Sequence, residues 1–182
     1  MSRHWLRGAI AAACFVLAPQ LHAQSVALTF DDGPHLGATP RLSAQARNEA
    51  MLAALAKHKV KAALFVTAAN GAVKPEGLAL ARAWGQAGHA VGNHTITHPD
   101  LASAKLSLEQ YQQEVLDCDR IIAALPGYQK WFRFTYLREG NTKDKRDGMR
   151  AFLRQQGLRN AYVTLDTSDW RLNDKLVEVL DK

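Results

Sequence analysis

Four short stretches of this chain carry reactive side chains at spacings that chemistry can use. Asp31 and Asp32 stand side by side in Thr-Phe-Asp-Asp-Gly-Pro, which ends at Pro34. His94 and His98 lie four positions apart in His-Thr-Ile-Thr-His-Pro. Arg133 and Tyr136 bound Arg-Phe-Thr-Tyr, and Asp169 and Trp170 close Asp-Thr-Ser-Asp-Trp. Two imidazoles at that spacing, on a helix or a tight turn, face the same way and can share one ion. Two histidines and one carboxylate make a three-ligand site for a divalent ion, with an open position for water. On zinc the pKa of such a water can fall to about 7, and the second carboxylate can take the proton. Metal-assisted hydrolysis of an amide or ester is the matching reaction class.

Each stretch has a plainer explanation when taken alone. Asp-Asp-Gly-Pro is good turn chemistry after a strand. Two adjacent carboxylates are costly there, however, unless a positive group sits beside them. His94 and His98 are two of seven histidines in the chain and can be surface residues. The His-Glu-x-x-His helix of zinc proteases is absent, which removes that class. Arg133 and Asp169 can form a structural ion pair, and Trp170 can be core. His58 and His89 read as helix-end and loop residues, and Glu139, Lys143, Lys145 and Arg146 as a solvated charged segment.

Placement on the elements changes that balance. Apolar runs predict strands over residues 26–30, Ala62–Val66, 89–92, 130–134 and 160–165. Helical periodicity predicts helices over Ala44–Lys57, residues 78–87, a long helix opened by Ser107 that runs to about residue 125, residues 144–156, and a last one from about residue 174. Ser107 with Gln110 three positions on forms a capping box, and Pro126-Gly127 and Gly157 are stop signals. Strand–helix alternation with near-continuous apolar strands argues for a parallel α/β sheet covered by helices, either doubly wound or a barrel. All four reactive stretches fall at or just past the C-terminal ends of predicted strands. In parallel α/β folds that rim is where loops converge and sites are built.

The bulk numbers fit one domain of 182 residues with 47% hydrophobic content, enough for a core. Residues 1–23 read as a secretory signal peptide. Arg3 and Arg7 form a basic start, a short apolar run follows, and Ala23 offers a cleavage point. That run is too short for the roughly 20 residues that span a bilayer, so no stable membrane insertion is expected after cleavage. The mature chain, residues 24–182, is then secreted or periplasmic. Cleavage removes two arginines and no acids, so the net charge falls from +6 to +4. This mild excess suits anionic cell-wall polymers. No basic cluster with interleaved aromatics points to nucleic acid. Cys118 alone remains, so an intramolecular disulfide is excluded, and its place on the apolar helix face marks it as a core thiol.

Together these residues resemble the polysaccharide deacetylase family, the NodB-like carbohydrate esterases, from about residue 25 to the C-terminus. The resemblance implies an irregular (β/α) barrel. It implies Asp31 as the base, Asp32, His94 and His98 as ligands of a divalent metal, usually zinc, and an acetylated polysaccharide as substrate. It also implies that Arg133 orients Asp31, that the Tyr136 N–H stabilises the oxyanion, that Asp169 tethers Arg133, and that Pro34 and Trp170 line the pocket. The family's Arg-x-Pro-Tyr motif has threonine here in place of proline, at Thr135, a change expected to loosen that loop. The family's last motif, Leu-x-x-His, supplies a general acid, yet no histidine follows His98. Only five strand–helix units are visible, and a barrel usually takes about 250 residues. A catalytic domain cut short at its C-terminus is therefore expected. The rival readings are a non-catalytic glycan-binding remnant of the fold and a hydrolase of small amides.

Overall fold

The computed structural model describes residues 25–180 apart from 38 and 40, so the expected leader over residues 1–23 lies outside the described residues. The elements in chain order are β1 (Leu28–Gly33), α1 (Ala44–Lys57), β2 (Ala62–Val66), α2 (Pro75–Gln86), β3 (Ala90–Asn93), α3 (Leu108–Ile122), β4 (Tyr128–Phe132), α4 (Lys143–Gln156), β5 (Arg159–Asn160) and α5 (Asp169–Leu180). All strand pairs are parallel, and the sheet order is β1-β2-β3-β4-β5. A strand order that follows the chain, joined by right-handed crossovers, sends every helix to the same face of the sheet. A doubly wound sheet needs a reversal of strand order, and there is none. The choice left open by the sequence therefore falls to the barrel type.

The core lies where that helical layer meets the sheet. All five residues of β2 are buried, as expected of a strand covered on both faces. Leu55 of α1, Ala81 and Trp84 of α2, and Cys118 and Ile122 of α3 pack with Leu64, Val66 and Val91 in one cluster. A second cluster joins Tyr111 and Val115 of α3 to Phe132, Phe134, and Met149 and Phe152 of α4. Cys118 is fully buried, and burial pushes its thiol up to about 12, so it stays protonated and inert. The capping box of α3 is present in full, with Ser107 Oγ accepting from Gln110 N–H and Gln110 Oε1 from Ser107 N–H.

Strand β1 runs over Leu28–Gly33 instead of residues 26–30, β4 over Tyr128–Phe132 instead of 130–134, and α3 ends at Ile122 instead of about residue 125; three further differences have a clear local reason. The helix α2 begins at Pro75 instead of residue 78, because proline is favoured in the first turn, where its missing N–H costs nothing. The fifth strand is two residues long, not six. Ala161 N–H makes a 2.8 Å bond to Phe132, but the Ala161 carbonyl accepts from the Arg133 side chain, so the ladder stops there. Helix α5 starts at Asp169 instead of near residue 174. Ser168, at φ 51°, turns the chain, and an acid at the first position suits the positive end of a helix. No helix among the described residues is long and apolar enough to cross a membrane.

At the other end of the sheet, His89 is buried and its Nδ1 accepts the Ala62 N–H at 3.2 Å, where β2 begins. Burial first, then the Lys61 charge, lowers its pKa below the ordinary 6.5. The folded chain thus resists a proton that the unfolded chain accepts. Stability is undiminished above 6.5 and falls as pH drops below that value. Going from about pH 7.5 to about pH 5.5 is expected to lower the Tm, and His89→Asn, which keeps an acceptor for Ala62 without titrating, to lessen the drop. An equal drop in both proteins would show that His89 contributes none of it.

Candidate active site

Adjacent strand residues point to opposite faces, so two neighbouring aspartates cannot both face one site from a regular strand. The register between β1 and β2 shifts between Phe30 and Gly33, and Asp32 adopts φ 65°. This irregularity bends the strand end and brings both carboxylates to the rim. The turned backbone is held from outside. Asn70 Nδ2 donates to the Asp32 carbonyl at 2.8 Å, and Thr67 Oγ1 donates to Asp32 Oδ1 at 3.2 Å.

His94 leaves the end of β3 and is 2% exposed. Its Nδ1 lies 2.8 Å from the Arg133 carbonyl. A carbonyl can only accept, so Nδ1 carries the proton and Nε2 is left with a free lone pair. Burial lowers the pKa of His94 below 6.5, against the nearby Asp31 charge and the Arg133 carbonyl, which raise it. The ring is therefore neutral at pH 7, the form that binds metal. His98 returns to the site not on a helix but through a turn with Thr95 at φ 73° and His98 at φ 58°. Asn93 Oδ1 accepts the Thr95 N–H at 2.9 Å, and Thr95 Oγ1 accepts the His98 N–H at 3.1 Å. The two rings meet edge to face, with centroids 5.1 Å apart.

Asp32 Oδ1 lies 3.2 Å from His98 Nε2 and 3.6 Å from His94 Nε2. Zinc bonds of about 2.0–2.1 Å place two tetrahedral ligand atoms about 3.3 Å apart. Asp32, His94 and His98 are the one group of this kind among the described residues, with ligand atoms within 4.8 Å of one another. Their donor set and spacing fit a divalent ion with a position open on the solvent side, where Asp32 is half exposed.

Asp31 is held differently. Its Oδ1 accepts from Arg133 Nη1 at 2.6 Å, while Oδ2 lies 3.9 Å from His94 Nε2. One carboxylate oxygen is thus fixed by a cation and the other faces the ligand cluster. Arg133 is 3% exposed, and its remaining bonds go to Thr29 Oγ1 at 2.7 Å and the Ala161 carbonyl at 3.0 Å. Its guanidinium lies over the Phe65 ring, 4.0 Å from the centroid.

The structure separates the remaining expected site residues. Tyr136 is beside the cluster, its ring 4.5 Å from that of His98. Its N–H, in a residue at φ 55°, donates to nothing among the described residues, whereas Thr135, Leu137 and Arg138 N–H groups are all bonded. Pro34 is buried behind the rim. Asp169 is not the expected tether: among the described residues no ion pair joins it to Arg133, and it sits exposed at the first turn of α5. Thr29 and the Ala161 carbonyl take that place. Trp170, on the same turn, is 62% exposed.

Thr135 is fastened instead of loosened. Its hydroxyl donates a short bond to the Pro99 carbonyl, its N–H donates to Tyr111 Oη at 3.2 Å, and its Oγ1 lies 2.9 Å from Tyr111 Oη. Since the threonine proton is used on Pro99, Tyr111 is the donor in that last contact. Tyr111 is fully buried, and burial pushes its hydroxyl up to about 12, so the donor is retained. This closed set ties the Arg133–Tyr136 loop to the residue behind His98. Nothing in the local sequence pattern marks the hydroxyl partner of Tyr111. Asn93, Thr67 and Glu114, which accepts from Ile96 and Thr97 N–H, were likewise missed. For Thr67 and Asn93 the available signal was a polar residue at the end of an apolar strand; Glu114, inside α3, carried none.

Tyr111→Phe leaves the buried Thr135 N–H without an acceptor and is expected to cost ~1–3 kcal/mol in denaturant unfolding. Phe134, at ψ 132°, already has the conformation that proline requires of its predecessor. Adding Thr135→Pro removes the orphaned N–H, so the double variant is expected to lose less than the sum of the singles. Strict additivity would show that the two residues are not coupled.

A profile of the family described as polysaccharide deacetylase matches residues 18–161. A peptidoglycan-N-acetylglucosamine deacetylase of Bacillus cereus is 32% identical over 149 residues, covering 80% of this chain and 46% of its own length. A chitooligosaccharide deacetylase of Sinorhizobium fredii is 39% identical over 100 residues, covering 55% of this chain and 40% of its own length. The chain thus spans less than half the length of these relatives. Among solved structures, a family 4 carbohydrate esterase from Streptomyces lividans, in complex with acetate, superposes with TM-score 0.61 at 29% identity, covering 80% of this chain and 66% of that one. With the parallel sheet and the rim geometry, these matches show that the chain belongs to the polysaccharide deacetylase family.

Proposed function

We propose that this protein removes acetyl groups from N- or O-acetylated sugars of a polysaccharide by metal-dependent hydrolysis. The observation that carries this reading is the division of labour between two adjacent carboxylates. Asp32 joins His94 and His98 in a ligand cluster, and Asp31 is held out of it by Arg133. The relatives named above act on acetylated glycans by name, which supports the substrate class.

Asp32, His94 and His98 would hold the ion, zinc by donor set and spacing, and it would supply Lewis acidity toward an acetyl carbonyl and a water of lowered pKa. Asp31, whose Oδ2 faces the ligand cluster, would take a proton from the attacking water. The buried Arg133 guanidinium, bonded to Oδ1, orients the carboxylate. The Tyr136 N–H, without a partner among the described residues, lies in the loop beside His98 and in this reading donates to the oxygen that gains charge when the carbonyl is attacked. Preorganised donors of this kind act without reorganising as the reaction proceeds. Protonation of the leaving amine or alkoxide completes hydrolysis. In this reading residues 1–23 are a cleaved leader, residues 24–182 belong to the catalytic domain, and the polymer is met outside the cytoplasm.

Acetate release from acetylated glycans by the zinc-loaded chain is expected to be abolished by a chelator. Asp31→Asn is expected to retain zinc while turnover falls ~10²–10⁴-fold, the range for loss of a general base. His94→Ala is expected to lose the ion itself. Wild-type turnover in Asp31→Asn would remove the role given to Asp31. Glycan binding and zinc binding without acetate release would instead favour the non-catalytic remnant.

A further inference from the structure

We infer that Glu114 is a positioning residue for the metal site, a carboxylate on α3 that fixes the turn carrying both histidines before the ion arrives. This inference rests on the metal site proposed above and goes beyond its ligands. Glu114 Oε2 accepts two backbone N–H bonds, from Ile96 at 3.0 Å and Thr97 at 2.7 Å. Its Oε1 accepts the Thr97 hydroxyl at 2.9 Å. One side chain therefore satisfies three donors, all lying between His94 and His98.

The turn needs such a restraint. Thr95 and His98 both stand at positive φ, a conformation that costs a non-glycine residue free energy and persists only where the surroundings hold it. The bond from His98 N–H to Thr95 Oγ1 lies within the turn and does not attach it to the fold. His94 is fixed independently, by its Nδ1 contact with Arg133 and its N–H bond to Val66, but His98 is partly exposed at the far end. The Thr95 and Ile96 carbonyls accept from Ala68 and Ala69 N–H at 3.1 and 2.8 Å, and Glu114 is what ties the donors of the same stretch to a packed helix. Helix α3 is itself locked, with Tyr111, Val115 and Cys118 fully buried and the Val115 carbonyl accepting from Asn93 Nδ2 at 2.8 Å. The carboxylate position is thus set by the core, and its negative charge also favours a nearby cation. Without Glu114 the imidazole of His98 must be ordered when the ion binds, and affinity falls by that amount.

The test is zinc affinity of the full chain, measured by competition with a chelator and by calorimetry, beside circular dichroism of each variant. Glu114→Ala is expected to bind zinc ~10–100-fold more weakly, the range for lost support of metal ligands. Glu114→Gln can still accept both N–H bonds through one oxygen while its amide donates to the Thr97 hydroxyl, so its affinity is expected to stay within about threefold of wild type. Thr97→Val, which removes one of the three bonds from an exposed side chain, is expected to give a smaller loss than Glu114→Ala. It serves as the readout if that variant does not fold. Unchanged zinc affinity in Glu114→Ala, or in Thr97→Val where the former is unfolded, overturns the proposal even if Tm falls. Equal losses in the Ala and Gln variants overturn it as well, because charge alone would then account for the effect. A folded wild type that binds no zinc fails earlier, and refutes the metal site itself.

Discussion

The buried guanidinium of Arg133 is the contact on which the site depends, because it joins all five strands at one point. It follows β4, its N–H bonds back to Asn93 of β3 at 3.0 Å, and its carbonyl sets the tautomer of His94. Its side chain reaches Thr29 and Asp31 on β1, lies over Phe65 of β2, and caps the carbonyl of Ala161 just after β5. Strands β1 and β4 are three places apart in the sheet. In a flat sheet that is about 14 Å, further than an arginine reaches, so the sheet must curl. Curvature and ion pair are two descriptions of one constraint.

A charge that is 3% exposed is tolerable only when paired and hydrogen-bonded. The pairing runs both ways. Arg133 needs an anion, and Asp31, on the strand beside a second carboxylate, needs a cation. Asp32 is left to the imidazoles. Two chemically identical neighbours thus acquire different surroundings from the irregular end of β1 and from which of them the guanidinium reaches. The same economy appears at Thr135, where a residue that keeps its N–H and adds a hydroxyl is absorbed by Tyr111 and the Pro99 carbonyl.

Strain collects at this rim. Asp32, Thr95, His98, Tyr136 and Leu137 all have positive φ without being glycine. Each is held by polar groups from other elements: Asn70 and Thr67 on Asp32, Asn93 and Glu114 around the histidine turn, Tyr111 on the loop before Tyr136. Such conformations survive where surroundings over-determine them, and they aim side chains that a regular strand or helix would turn away.

The sequence by itself determined the element order, the parallel α/β class, the reactive rim, the capping box of α3 and the burial of Cys118. These follow from local periodicity, and from the rule that loops after parallel strands share one edge. It also marked Asp31, Asp32, His94, His98, Arg133 and Tyr136, because unusual residue types sat together at that edge. Tertiary structure alone decided which aspartate pairs with Arg133, that Asp169 does not, that β5 ends at Asn160, and that Thr135 tightens its loop. It also alone showed Glu114, which in sequence is one more helix glutamate. Hydrogen-bond partners more than a dozen residues apart leave no periodic trace, since a chain encodes them only through the packing that brings them together.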